Sequence, residues 1–288
     1  MILITTAGKV GRESATLLAK ADTPVRVLAR DPTKVSGLRD AGVEIALGDL
    51  DDTSSIDAAM AGVNVIILVS PAVPAQELRV VDAAARARVG HVVKVTSKAS
   101  PDSPIARRRG QSEIEAGLIA SGLSYTLLRN NAYMQNFLAL APVIAATGAL
   151  ASSAANGRVG LVDARDVAGV AAQIAAHPEG HAGQTYWITG PQLLSYGDVA
   201  NILSDVLGRA VTFSARTTEE DREAMIAAGV PAAIAEQNAQ AFSLIATGDA
   251  EWLSDDAAKI LGHPARSFEQ FARDHAAAFT PATQSAHA

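Results

Sequence analysis

Cysteine is absent from all 288 residues. That absence excludes disulfide frameworks, thiolate zinc sites, iron–sulfur clusters and cysteine nucleophiles together. Basic charge is also short. The chain carries 24 Lys and Arg against 30 Asp and Glu, a net charge of −6, whereas a non-specific nucleic-acid binder presents a basic face. Direct contact with nucleic acid is not expected. No apolar run approaches the roughly 18 residues of a membrane span. Met1-Ile2-Leu3-Ile4 reads as a strand, without the basic segment and longer apolar run of a secretory signal. The expectation is a cytoplasmic protein without a membrane partner. No Gly-x-Ser-x-Gly elbow surrounds Ser70 or Ser97, so a hydrolase triad is not indicated.

Hydrophobic residues make up 49% of the chain and charged residues 19%, enough for a sizeable core. The length suits one large or two modest domains of roughly 150 residues each. The first half alternates short apolar runs with helical patterns. Strands are predicted at Ile2–Thr5, Val25–Ala29, Val43–Leu47, Val63–Val69, Val92–Thr96 and Tyr125–Leu128. Most are apolar throughout, as strands covered on both faces of a parallel sheet are. Helical spacing runs through Val10, Ser14, Leu17, Leu18 and Ala21, then through Lys34–Ala41, Ser54–Met60, Pro74–Arg88 and Arg107–Ser121. Repeated strand–helix–strand units predict an α/β fold with a doubly wound parallel sheet.

Beyond about residue 130 the rhythm loosens. Val167, Val170, Ala171 and Ile174 mark a helix entered at Asp163 or Asp166, Tyr186–Thr189 a strand, and Val199–Leu207 a helix stopped by Gly208. Thr218–His275 reads as almost wholly helical, with turns near Gly229, Gly248 and Gly262. Thr280–Ala288 is small and polar, and fraying is expected there.

Thr5-Thr6-Ala7-Gly8-Lys9-Val10-Gly11 lies between the first strand and the first helix. Glycines there let the backbone turn and approach a pyrophosphate, whose charge suits the free amides of a helix start. Thr5 stands where the usual first glycine would be, and a Gly-x-x-Gly turn also serves tight packing. In the dinucleotide reading, a branched side chain at Gly11 would fill the space between helix and phosphate. The second strand ends Val27-Leu28-Ala29-Arg30, with Lys34 four residues on. An NAD site would place a carboxylate there to grip the ribose hydroxyls. Arg30 instead offers a donor fork for a 2′-phosphate, and Lys34 a point charge. The alternative is that Arg30 caps a strand end in solvent.

With Thr5–Gly11, Val25–Pro32, Gly48-Asp49-Leu50, His91–Ser97, Ser121–Asn131 and Tyr133–Asn136 in this order, the chain resembles the NmrA-like family. These are atypical short-chain dehydrogenase/reductase relatives that include NAD(P)H-dependent quinone, azo-dye and triphenylmethane-dye reductases. The likeness spans nearly the whole chain. It implies a Rossmann-type NAD(P)-binding domain over residues 1–150, with NADP(H) preferred over NAD(H). A smaller, mainly helical C-terminal lobe over 151–280 would close a substrate cleft, its boundary with the first interleaved, before a flexible tail at 281–288. Carried over residue by residue, Thr5, Gly8, Lys9, Val10 and Gly11 form the pyrophosphate loop, and Arg30 and Lys34 meet the 2′-phosphate. Asp49 and Leu50 border the adenine, Val69, Ser70 and Pro71 pass the linking ribose, and Thr96, Ser97 and Lys98 lie by the nicotinamide ribose. For Asp49 a helix-start acid is an equal reading.

The catalytic signal is thinner. The Tyr-x-x-x-Lys pair of the wider superfamily is missing, since Arg107–Ala120 contains neither residue. The family often has Trp-His before Glu-Ile-Glu, and Gly110 and Gln111 stand there instead, before Glu113-Ile114-Glu115. Gln111 can bond a ligand but cannot shuttle a proton. Tyr133, beside Asn130 and Asn131, follows the sixth strand, where open sheets of this kind bind substrates. Gln111, Asn130, Asn131 and Tyr133 are the candidate substrate residues; Tyr133 and Lys98 are the weak catalytic candidates, set against a cleft-supporting aromatic and an exposed loop lysine. His177 and His181 are separated by Pro178 and Gly180, which reads as a surface turn and not a metal pair. Arg107-Arg108-Arg109 reads as a solvated helix start.

The expected function is hydride transfer from NADPH to a quinone-like or other conjugated small molecule. A non-catalytic NADP(H) sensor is the alternative, and a sugar-nucleotide epimerase the third. The sequence leaves a homodimer open.

Overall fold

Three consecutive fully buried residues, Ile2, Leu3 and Ile4, make the first strand β1 (Ile2–Ile4) of a computed structural model that describes residues 1–281. The rest of the expected tail lies outside the described residues. The alternation continues with α1 (Lys9–Lys20), β2 (Val25–Ala29), α2 (Ser36–Asp40), β3 (Glu44–Leu47), α3 (Thr53–Ala59), β4 (Val65–Leu68), α4 (Pro74–Ala87), β5 (His91–Ser97), α5 (Ala106–Ala120) and β6 (Tyr125–Asn130). Next come α6 (Ala141–Thr147), β7 (Ala149–Ser152), α7 (Ala164–Ala176), β8 (Gln184–Ile188), α8 (Tyr196–Leu207) and β9 (Thr212–Ala215). Four α-helices and a final 3-10 turn (Ala276–Phe279) close the described chain: α9 (Thr218–Ala227), α10 (Ala232–Ala246), α11 (Asp256–Leu261) and α12 (Phe268–Asp274) precede that turn.

Among the described residues seven parallel strands form one sheet in the order β3-β2-β1-β4-β5-β6-β8. The order reverses between β1 and β4, and in open α/β sheets that switch point marks the ligand crevice outside the strand C-termini. The doubly wound expectation is thereby met. The predicted Lys34–Ala41 helix is instead a short 3-10 turn at Pro32–Val35 leading into α2. Pro32 presets the first turn, and Asp31 caps it by accepting from the Thr33 amide at 3.0 Å.

The chain divides into two compact units, and not at residue 150. The first comprises Met1–Asn130, Ala164–Ile188 and Asp255–Pro264; the second comprises Asn131–Asp163, Thr189–Ser254 and the chain from Ala265 on. The reason lies in α7, which falls in the second half of the sequence but in the first unit of the fold. Its alanine-rich surface is buried nearly all round, so it packs on α1 and beneath the sheet, where Ser14 donates to the Ala168 carbonyl at 3.1 Å. The core of the first unit gathers Leu3, Leu28, Leu50, Ile66, Leu68 and Val80. The second unit has its own core, centred on Phe137, Tyr196, Phe268 and Phe271. It is not purely helical, because β7 and β9 pair in parallel. Both strands are four residues long, too short for a periodic pattern to reveal.

One buried group makes this fold pH-sensitive. His91, at the start of β5, places Nδ1 2.8 Å from the Ser124 hydroxyl and Nε2 2.8 Å from that of Thr126. Thr126 donates its own proton to the His181 carbonyl, so it accepts from Nε2–H, and Nδ1 accepts from Ser124. Burial, together with nearby His181, holds the imidazole below its ordinary pKa. The unfolded chain then binds the proton more readily, so this contribution is complete above about pH 6.5 and is lost as the pH falls below it. The midpoint of chemical denaturation should drop between about pH 6.5 and 5, and by less in His91→Gln. Equal slopes in the two proteins would rule out His91 as a source.

Candidate functional site

The loop joining β1 to α1 is held by its threonines. Thr5, buried at the strand end, donates its hydroxyl to the Val69 carbonyl at 2.7 Å and accepts from the Val69 amide at 2.9 Å. Thr6 donates to the same carbonyl at 2.8 Å. Thr5 therefore ties β1 to the end of β4, and its hydroxyl is committed within the fold.

The two glycines of the loop have different reasons to be glycine. A Cβ on Gly11 would lie 1.9 Å from the Thr6 carbonyl oxygen and 3.1 Å from Ile4 Cγ2. The space beside Gly11 thus belongs to the chain's own backbone, and not to a phosphate as expected from the motif. A Cβ on Gly8 would meet nothing closer than 4.0 Å, and its φ of −69° is open to any residue. Nothing internal demands glycine at position 8, which fits a position kept bare for a ligand's close approach. Gly8 is also the N-cap of α1, with no side-chain cap and no acidic side chain in the first turn. The first amides of a twelve-residue helix are thus left to an anion. Lys9 is exposed on that turn, while Val10 turns its side chain into the core. The residues present fit a pyrophosphate.

At the end of β2 three cations converge. Arg30 is 79% exposed and only loosely paired with Asp49, at 3.8 Å; Lys34 is 80% exposed and 3.9 Å from Asp31. Such exposed pairs are worth little, so both cations can turn to a phosphate dianion. Arg12, from the first turn of α1, reaches the Lys34 carbonyl at 2.8 Å. Sequence reasoning missed Arg12, although its place one residue past Gly11 was a usable signal. Asp31 does not stand in for a ribose-binding carboxylate. Its hydrogen bonds with Thr33 hold it ionised below the usual carboxylate range and turn it into the 3-10 turn. Asp49 accepts from the Asp51 amide at 3.0 Å and remains part-exposed beside Arg30. The Leu50 side chain is buried in the core of the first unit.

After β4, the Val69 carbonyl is occupied by the two threonines. The Ser70 hydroxyl donates to Glu77 Oε1 at 2.6 Å and accepts from the Ala72 amide at 3.1 Å. Pro71 is exposed at the tip of this turn, and Ala72 sits at φ +63°, a conformation that a non-glycine residue holds only under constraint. At the end of β5, Thr96 is buried with its hydroxyl 3.0 Å from Gln111 Oε1 and 2.9 Å from Glu115 Oε1. One proton cannot serve both. The carboxylate, paired with Arg129, is the stronger acceptor, so turning the Gln111 amide by half lets its nitrogen donate to Thr96. Ser97 and Lys98 follow, both half-buried. Asn130, at the end of β6, donates to the Thr96 carbonyl at 2.9 Å.

Gln111, Thr96 and Asn130 are therefore brought together in the first unit. Asn131 belongs to the second, where its amide donates to the Ala250 carbonyl at 3.0 Å and accepts from the Ala132 amide at 2.8 Å. Both ends of that side chain are hydrogen-bonded within the fold. Tyr133, in the second unit, precedes the 3-10 turn at Met134–Ala139 and bridges to Val162. His181 bonds the Tyr186 hydroxyl at 2.8 Å, and no His, Asp and Glu cluster among the described residues could hold a metal ion.

Two further residues lie directly behind this sheet end. Lys94, in the middle of β5, and Glu77, on α4, are both fully buried and 2.6 Å apart. Lys94 also donates to the Val95 carbonyl at 2.8 Å. Desolvation pulls the ammonium below the ordinary lysine value, against the pull of the Glu77 carboxylate. The signal for the pair was a charge inside an apolar strand and an acid on the Val80–Val81–Ala84 face of a helix, each costly to bury alone.

The chain is similar over nearly its whole length to known proteins. The NmrA-like family model matches residues 1–271. The chain is 36% identical over 283 residues to an NAD(P)H azoreductase of Xenophilus azovorans, covering 97% of this chain and 99% of that one. It is 37% identical over 286 residues to a (4-alkanoyl-5-oxo-2,5-dihydrofuran-3-yl)methyl phosphate reductase of Streptomyces griseus, covering 98% and 100%. Among solved structures, an NADPH-dependent quinone oxidoreductase of Escherichia coli complexed with NADPH superposes with a TM-score of 0.87 at 26% identity, over 96% of this chain and 99% of that one. The chain belongs to the NmrA-like family.

Proposed function

We propose that the protein is an NADPH-dependent reductase of conjugated small molecules such as quinones and azo compounds. The observation that carries this reading is one sheet end holding an uncapped helix start at Gly8 and an exposed cationic corner at Arg12, Arg30 and Lys34. Full-length identity to two reductases supports it. NADPH, when bound, supplies the hydride. The first amides of α1 bind the pyrophosphate, the cationic corner selects the 2′-phosphate, and Thr96, Gln111 and Asn130 form the fixed floor on which the reactive end is oriented. Orientation accounts for much of such a reaction, because a hydride donor held against its acceptor needs little further help.

The chain's own side chains constrain the acceptor. Gln111 can donate and accept hydrogen bonds but cannot shuttle a proton, and α5 offers no Tyr–Lys pair. An acceptor that takes a hydride before it needs a proton is the chemical match, which favours electron-poor conjugated systems over simple ketones. Steady-state NADPH oxidation with a panel of quinones, azo dyes and simple ketones tests this. Turnover with the conjugated acceptors and none with the ketones is expected. Tight NADPH binding without turnover of any acceptor would replace the enzyme with a redox sensor.

A further inference from the structure

We propose that the buried Glu77–Lys94 pair is a positioning device that holds the cofactor-facing turn after β4, acting through Ser70. The proposal rests on the reading of the sheet end as an NADPH site. Its geometry is a continuous relay. The Lys94 ammonium is anchored to the Val95 carbonyl at 2.8 Å and pairs with Glu77 Oε2 at 2.6 Å. Glu77 Oε1 takes the Ser70 hydroxyl at 2.6 Å, and the Ser70 oxygen takes the Ala72 amide at 3.1 Å. The relay therefore ends on the residue whose φ of +63° needs outside constraint. The same turn carries Val69, whose carbonyl receives Thr5 and Thr6 of the phosphate loop. Displacing it would move both the 70–72 turn and the loop leading to Gly8.

Stability alone does not account for such a pair. Replacing a buried ion pair by apolar residues of similar volume is often neutral or stabilising, whereas removing one partner is not. A charged pair with no accessible atom, placed behind a ligand site, is better explained by what it orients. The carboxylate is the part that reaches Ser70, and Lys94 holds that carboxylate in place within an apolar layer. Both are positioning residues, since neither faces the ligand.

Two double variants separate orientation from packing. E77M/K94M fills the space with apolar side chains and removes the acceptor for Ser70. E77Q/K94Q keeps a neutral relay. In it the amide introduced at position 94 donates to the Val95 carbonyl, while the amide introduced at position 77 donates to the one at 94 and accepts from Ser70. Both variants are expected to keep the wild-type Tm within a few degrees. Titration with NADPH should show about tenfold weaker binding for E77M/K94M, the loss of one hydrogen bond's worth of affinity, and affinity within about threefold of wild type for E77Q/K94Q. Wild-type affinity in E77M/K94M, or equal losses in both variants, overturns the proposal. If E77M/K94M does not fold, S70A breaks the relay at its far end without disturbing the buried charges, and unchanged NADPH affinity there is the contrary result. Failure of the wild-type protein to bind NADPH would instead remove the cofactor reading on which the proposal rests.

Discussion

Gly11→Ala is expected to destabilise the protein by about 3 kcal/mol and to abolish NADPH binding, whereas Gly8→Ala, at the N-cap of α1, should cost no more than about 1 kcal/mol of stability and act chiefly on the cofactor. The added methyl at position 11 lands 1.9 Å from the Thr6 carbonyl oxygen. A backbone atom cannot rotate away as a side chain does, so the loop or the helix must move. Overpacking of this kind costs about 1–3 kcal/mol and sometimes more; a clash with backbone belongs at the upper end. For a chain of this size the loss corresponds to a fall in Tm of roughly 6–12 °C. At Gly8 the methyl meets no heavy atom within 4.0 Å except at that limit, and the backbone is ordinary. Its only expected obstacle is a phosphate, with a loss of tenfold or more in affinity on the scale of about 1.4 kcal/mol per decade. Thermal scans and calorimetric titration of both variants check the pair. Undiminished affinity in Gly8→Ala would mean that the pyrophosphate does not approach there.

Arg30→Ala should weaken NADPH by about ten- to a hundredfold while leaving NADH nearly unchanged. Charge-assisted hydrogen bonds are worth about 1.5–3 kcal/mol, and only NADPH carries the 2′-phosphate that Arg30 addresses. The existing partner of Arg30 does not offset this, since the Asp49 carboxylate lies 3.8 Å away and both groups are substantially exposed. Lys34 and Arg12 remain in the variant, so binding should fall and not vanish. Fluorescence titrations with both cofactors decide the question. An equal loss for NADH would make Arg30 an adenine or structural residue, and a wild type that prefers NADH would contradict the reading of the strand end.

Much of the fold was legible because a parallel sheet buries both faces. The apolar runs at Val25–Ala29 and Val65–Leu68 could be read directly, and the loop after β1 sat where the pattern required. The unit boundary was not legible, since the burial that binds α7 to α1 depends on small residues meeting across a long stretch of chain. The pairing of β7 with β9 was equally hidden, being four residues long and non-local. At the site, residue type and position singled out Gly8, Arg30 and Lys34, which lie exposed at the start of α1 and after the end of β2. That the side chains of Leu50, Thr5 and Asn131 turn into the fold was not legible, because a motif gives position in the chain but not the direction of a side chain. Glu77 and Lys94 were missed for the opposite reason, as each charge makes sense only beside the other.

The most direct test of the account is the single-turnover rate of NADPH oxidation by a quinone, measured with NADPH carrying hydrogen or deuterium at the nicotinamide C4 and repeated in D2O. A chain that binds and orients NADPH without a proton relay predicts a slower rate with deuterated NADPH and a rate unaffected by solvent deuterium. A rate that responds to D2O and not to the C4 label, or bound NADPH that no quinone oxidises, would contradict it.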